Sequence, residues 1–231
     1  MKDKDADMEL IKYPDAEMMM MDLGNTLAGE LENALLTNDQ VSFAVPGGTT
    51  PGPIFDVISE ANHIDWARVS VMLTDERWVP ETSERSNTRL LKQRLLVNAA
   101  AAATYVPLYG DAETPEEKLP ELAANLAEKL PVSVMLLGMG ADMHTASIFP
   151  GADQLDTALY GDKLLVPMRA PGAPEPRITL STKVLNGAIK RHIVIKGADK
   201  LEALEKAQTL SPEVAPVAAI LAGSTVHWAE S

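Results

Sequence analysis

The pentapeptide Val-Ser-Val-Met-Leu occurs twice, at residues 69–73 and again at 132–136. Apolar runs this short, bounded by turn or charged residues, read as strands buried on both faces, and such strands belong to parallel sheets covered by helices. Val41 to Val45 is a third run of the same kind, and the second pentapeptide extends to a run from Val132 to Leu137. The flanks of the two pentapeptides differ, so they are no internal repeat. They predict two parallel strands in similar surroundings.

Helical patterns separate these runs. After Pro14-Asp15, the residues Met20, Leu23, Leu27, Leu31 and Ala34 recur at three- and four-residue steps and give one apolar face, stopped by Asn38-Asp39. Thr50 is placed to cap a helix with Pro51 at its first position. Ser86 or Asn87 can cap a helix carrying Leu90, Leu91, Leu95 and Leu96. Thr114-Pro115-Glu116-Glu117 reads as a capping box, with Pro120 predicted to kink or restart the helix that follows. Tyr105 to Tyr109 reads as a strand near an edge, because Pro107 lacks a ladder donor. Later strands are predicted before Met168, at Arg177–Ser181, at His192–Lys196 and at Thr225–Trp228, with a turn over 197–200 and a last short helix at Pro216–Leu221. This alternation predicts an α/β fold: a predominantly parallel sheet with helices on both faces. No stretch reads as a linker, so residues 1–231 are expected to form a single α/β domain.

Composition narrows the partners. A formal net charge of −13 argues against nucleic acid and anionic membrane. It leaves room for a small anionic substrate met by a local cluster of Arg and Lys. There is no cysteine, hence no thiol nucleophile or cysteine metal site. The amino-terminal segment Met1 to Asp7 is charged and lacks the apolar core of a signal peptide, and no apolar run approaches the ~20 residues needed to span a bilayer. A soluble, cytoplasmic protein is expected, as monomer or homodimer.

Three loops follow strand candidates. Gly47-Gly48-Thr49 after the first offers amide and hydroxyl donors ahead of a helix, a setting that suits a phosphate. Asp75-Glu76-Arg77 emerges from the second, and Glu76 is as well read as structural. Gly138-Met139-Gly140-Ala141-Asp142-Met143-His144 closes the third with an aspartate two residues before a histidine. Open α/β sheets bind ligands beyond the carboxyl ends of their strands, where these loops lie. Arg177 and Lys200 add positive charge from the last third of the chain. Together these residues can hold an anionic sugar phosphate beside a histidine base, with no metal or cofactor required. His63, His192 and His227 read as surface or satisfied core groups.

Four segments, taken in order, resemble the 6-phosphogluconolactonase family: Pro46–Pro51, Thr74–Arg77 with Ser86-Asn87, Gly138–Gly151, and Pro176–Leu180. The resemblance covers nearly the whole chain. It implies a fold shared with glucosamine-6-phosphate deaminases and ribose-5-phosphate isomerases, a Rossmann-like sheet with a small additional β element. It also implies hydrolysis of 6-phospho-D-glucono-1,5-lactone to 6-phosphogluconate. On that reading His144 is the general base, since an unperturbed imidazole titrates near pH ~6.5. Asp75 or Asp142 orients it. Gly47, Gly48, Thr49, Arg177 and Lys200 hold the phosphate, and Arg77 serves either the phosphate or the oxyanion.

Met143 stands where the family usually has glycine. If that position needs a positive φ, the methionine costs about 1–3 kcal/mol. Two rivals remain. A glucosamine-6-phosphate deaminase would carry a glutamate in the segment after the histidine, where this chain has Ser147-Ile148-Phe149-Pro150. A non-catalytic sugar-phosphate sensor would normally add a DNA-binding arm or a partner surface.

Overall fold

A computed structural model describes residues 7–231, so most of the charged segment Met1–Asp7 lies outside the described residues. The first half runs β1 (Glu9–Lys12), α1 (Ala16–Leu35), β2 (Val41–Val45), α2 (Gly52–Ser59), β3 (Val69–Leu73), β4 (Asp75–Arg77), α3 (Asn87–Arg94) and β5 (Thr104–Val106). The second half runs α4 (Pro115–Ala127), β6 (Val134–Gly138), α5 (Leu155–Tyr160), β7 (Leu165–Met168), β8 (Arg177–Leu180), α6 (Thr182–Gly187), β9 (Lys190–Lys196), α7 (Ala198–Ala207) and β10 (Thr225–Ala229). No described helix is long and apolar enough to cross a membrane.

Seven strands form one parallel sheet in the order β1-β10-β9-β6-β2-β3-β5. Every residue of β2 and β3 is buried, so both faces of the sheet are covered there, as expected of parallel strands. The twin pentapeptides flank β2 in one register. Val71 and Val134 both pair with Phe43, and Met72 and Met135 both pair with Ala44. Identical letters thus occupy matching seats on the two sides of β2. Phe43 is fully buried between them. β5 sits at an edge as predicted, shorter than the expected Tyr105–Tyr109.

From β2 the chain moves outward through β3 to β5, then returns to the other side of β2 as β6 and moves outward again through β9 and β10. The direction of winding reverses between β2 and β6. Doubly wound sheets open a ligand crevice at such a switch point.

β4, β8 and β7 form a separate antiparallel sheet. This is the small additional β element, built in part from Asp75-Glu76-Arg77, which the sequence presents only as a charged loop. β1 had no counterpart in the sequence reading; its ends are charged and it pairs only at the edge, with β10.

The helix starts are mostly legible in sequence. Asp15 caps α1 by accepting from the Met18 amide at 2.7 Å. Ser86 caps α3 through the Arg89 amide, and Thr114 with Glu117 forms the capping box of α4. α4 runs through Pro120 without restarting, forgoing one backbone bond, because Leu122 and Leu126 beyond it are buried anchors. Thr50 does not cap α2: Pro51 occupies the cap position with no side-chain bond, and the first helical residue is Gly52. Lys200, expected in a turn, lies in the first turn of α7, and the last short helix is a 3₁₀ turn over Pro216–Ile220.

Candidate active site

The loops after β2 and β6, the strands β4 and β8, the end of β9 and the starts of α3 and α7 enclose a cleft of ≈ 270 Å³ at the switch point. Its walls include Gly47, Gly48, Asp75, Arg77, His144, Arg177 and Lys200, so seven of the expected residues share one cavity. Thr49 does not line it. Thr50 does, while Thr49 faces an adjoining groove against α1. Asp142 reaches the site through His144 rather than as a wall residue.

The histidine loop is a tight turn. The Gly140 amide donates to the His144 carbonyl at 2.9 Å and the Met143 amide to the Gly140 carbonyl at 3.0 Å. Asp142 accepts from the His144 amide at 3.2 Å, and its carboxylate lies 2.5 Å from His144 Nδ1. That hydrogen bond holds the Asp142 carboxyl below its ordinary range, against the opposing push of burial. A Cβ on Gly140 would come within 2.1 Å of His144 Nδ1 and 2.4 Å of Asp142 Oδ1, so only glycine permits this pairing. Among the described residues nothing hydrogen-bonds His144 Nε2. The ring packs on Phe149 at 4.4 Å between centroids, and its side chain is 30% exposed.

Met143 has φ 65, the left-handed conformation that would favour glycine. The strain is held in place by the turn bond to Gly140, by the Val217 amide donating to the Met143 carbonyl at 3.0 Å, and by packing of its side chain on the core. Ala146, three residues on, is also left-handed at φ 49.

Asp75 does not touch the imidazole. Its carboxylate accepts from Ser147 Oγ at 2.5 Å and Thr74 Oγ1 at 3.2 Å, which ties the end of the histidine loop to the small sheet. The ring's aspartate partner is therefore Asp142. Glu76 is fully buried and accepts from the Asn87 and Thr88 amides, from the Thr88 and Ser86 hydroxyls and from the Arg77 amide. It closes the N-terminus of α3, which is the structural role.

Gly47 packs against Asn87 so closely that a Cβ there would lie 2.2 Å from its amide group. Asn87 in turn donates to the Asp75 carbonyl at 3.1 Å and lines the cleft, a role beyond capping at a residue that already stood among the segments carrying the family resemblance. Lys200 donates to the Met139 carbonyl at 3.2 Å. Lys196, at the end of β9, lines the cleft as well and was missed, although the strand-end rule that singled out the other loops applies to it equally. Four cations thus face one wall aspartate, reversing locally the sign of a strongly acidic chain.

Arg77 and Arg177 are register partners across β4 and β8. Arg77 donates from Nη1 to the Arg85 carbonyl at 2.8 Å, and Arg177 lies over the Phe149 ring at 5.6 Å. The Nε of each is buried without a hydrogen-bond partner. Burial draws the Arg177 guanidinium below its ordinary value, opposed by the nearby Asp75 charge. Two under-used guanidinium groups in a cleft suit an anion.

Comparison with known proteins gives a consistent result. The chain is 40% identical over 216 residues to a 6-phosphogluconolactonase of Pseudomonas aeruginosa, covering 89% of this chain and 88% of that one. It is 37% identical over 234 residues to one of Rhizobium meliloti, covering 97% and 99%. The crystal structure of a 6-phosphogluconolactonase from Shewanella baltica superposes with a TM-score of 0.93 at 31% identity, covering 96% of this chain and 97% of that one. Residues 14–228 match the sequence model of the glucosamine-6-phosphate isomerases/6-phosphogluconolactonase family, and the chain belongs to that family.

Proposed function

We propose that this protein hydrolyses 6-phospho-D-glucono-1,5-lactone to 6-phosphogluconate, with His144 as general base. The observation that carries the reading is the imidazole itself: Nδ1 is engaged by Asp142 at 2.5 Å while Nε2 stands uncommitted in a cleft shared with Gly47, Gly48 and four cationic side chains. Such a ring can take a proton from water as the water attacks the C1 carbonyl. Asp142, held ionised, fixes the ring and stabilises the imidazolium that forms. The Gly47–Gly48 amides, Arg177, Lys200 and Lys196 receive the phosphate. Arg77 is positioned for either the phosphate or the oxyanion. Proton return to the ring oxygen from His144 completes the opening. This route asks nothing of a metal, so exhaustive dialysis against EDTA should leave the rate within about twofold.

A deaminase reading has less support, because the residues after His144, Thr145 to Pro150, include no carboxylate. The test is a coupled assay with freshly generated lactone against a no-enzyme control, since the lactone also opens unaided. Acceleration proportional to enzyme supports the proposal; phosphosugar binding with only the background rate refutes it.

A further inference from the structure

Glu175 belongs to the proline-rich connector between β7 and β8, in the stretch Pro174-Glu175-Pro176. Its side chain is only 12% exposed, and three arginines surround it. Arg85 grips it with Nε at 3.1 Å from both oxygens and Nη2 at 2.8 Å from Oε1. The same Oε1 lies 3.6 Å from Arg77 Nε and 3.9 Å from Arg177 Nη2.

Arg77 and Arg177 pair directly across an antiparallel ladder, an arrangement in which like charges repel. One fixed carboxylate oxygen between them offsets that repulsion. The contacts at 3.6 and 3.9 Å are too long for hydrogen bonds, so Glu175 takes up no donor of either group. With Arg77 Nη1 on the Arg85 carbonyl and the Nε of both arginines buried, Arg77 Nη2 and both Nη groups of Arg177 stay available to an incoming anion. Arg85 closes the arrangement: its side chain fixes Glu175, and its carbonyl accepts from Arg77 Nη1. Burial pushes the Glu175 carboxyl up, but the Arg85 hydrogen bonds and the charges of Arg85, Arg177 and Arg77 outweigh it and leave it below its ordinary value.

We infer that Glu175 is a positioning residue, the resident counter-ion that holds Arg77 and Arg177 side by side and open to the substrate's anionic groups. This rests on the cleft being the phosphosugar-lactone site. A bland alternative is that Glu175 only ties the connector to Arg85.

The test compares wild type, Glu175→Gln and Arg85→Met, the second removing the grip without touching the cleft arginines. Two readouts are taken: KM and kcat with fresh 6-phosphogluconolactone, and Kd for 6-phosphogluconate by calorimetry. Both variants should raise KM and Kd on the order of fivefold, with kcat within about twofold, as expected when one partly buried charge contact is lost. A lowered melting temperature with unchanged KM and Kd overturns the proposal in favour of the tether. Tighter binding in Glu175→Gln also overturns it, since Glu175 would then only subtract charge. If wild type fails to turn over lactone yet both variants weaken product binding, the assigned reaction falls and the positioning role stands. If turnover is normal and neither variant weakens binding, the reverse holds.

Discussion

Two histidine–carboxylate contacts in this molecule look alike on paper and differ in what surrounds them. In the cleft, His144 meets Asp142 at 2.5 Å. In the interior, His192 Nε2 meets Glu30 at 2.9 Å, His192 Nδ1 meets His227 Nε2 at 2.9 Å, and His227 Nδ1 meets the Tyr13 hydroxyl at 2.9 Å, which donates to Asp22. Every ring nitrogen of the interior pair is spent on protein, and the chain of contacts ties α1 to β9 and β10. His144 keeps one nitrogen uncommitted beside four cations, on a loop strained at Met143. An acid next to a histidine is therefore no signature of catalysis. The proposed role of His144 rests instead on its uncommitted nitrogen in a cleft.

The sharpest way to break this contrast is to remove each imidazole. His144→Ala should lose about 10²–10⁴-fold in kcat/KM with little change in melting temperature. Retention of wild-type turnover would remove His144 from the base role.

Acid should separate the two regions next. Burial first, then the His192 charge, lowers His227 from 6.5 to about 4, with Asp22 opposing. The unfolded chain then binds more protons than the folded one between those values. Stability from this group is complete above pH about 6.5 and is lost as pH falls through about 4, roughly 3 kcal/mol in all. Urea midpoints measured from pH 7.5 to 4.5 should fall accordingly, and in His227→Phe the slope across that window should flatten. Asp142, lowered instead by its own histidine, gives up its contribution only as pH falls below the ordinary carboxylate range.

His192→Ala leaves Glu30 and His227 without their buried partner and should cost about 1–3 kcal/mol, lowering the melting temperature by roughly 2–4 °C per kcal/mol. Its kcat per folded molecule should match wild type; a tenfold loss would mean the interior chain reaches the chemistry.

The smallest effect belongs to the loop. Met143→Gly relieves a left-handed residue worth about 1–2 kcal/mol but adds backbone entropy of about 0.5–1 kcal/mol and discards methionine packing. Stability should move by less than about 1 kcal/mol, read as a shift in melting temperature of a few degrees. A collapse of activity in this variant would show that the methionine side chain itself serves the site.

What could be read from sequence was what local chemistry determines. The bounds of β2 and β3 follow from short apolar runs, the caps of α1, α3 and α4 from single side chains, and the cleft from glycines and charges at strand ends. What could not be read depends on pairing across long separations. β4 becomes a strand only because β8, some hundred residues on, lies beside it, and Asp75 finds Ser147 rather than His144 for the same reason. Glu175 sits in a connector that looks unremarkable until three arginines from two other segments and its own neighbour strand converge on it. Thr49 and Thr50 are adjacent hydroxyls, and only the turn geometry decides which one faces the cleft.

For this chemistry one guest must reach the Gly47–Gly48 loop and His144 at once. A crystal structure with 6-phosphogluconate bound tests it directly. The phosphate should contact Arg177 and the Gly47–Gly48 amides, and the C1 carboxylate should lie within about 3.5 Å of His144 Nε2 or one water away. Product seated in the cleft with C1 turned away from His144, or bound elsewhere on the molecule, would contradict the account.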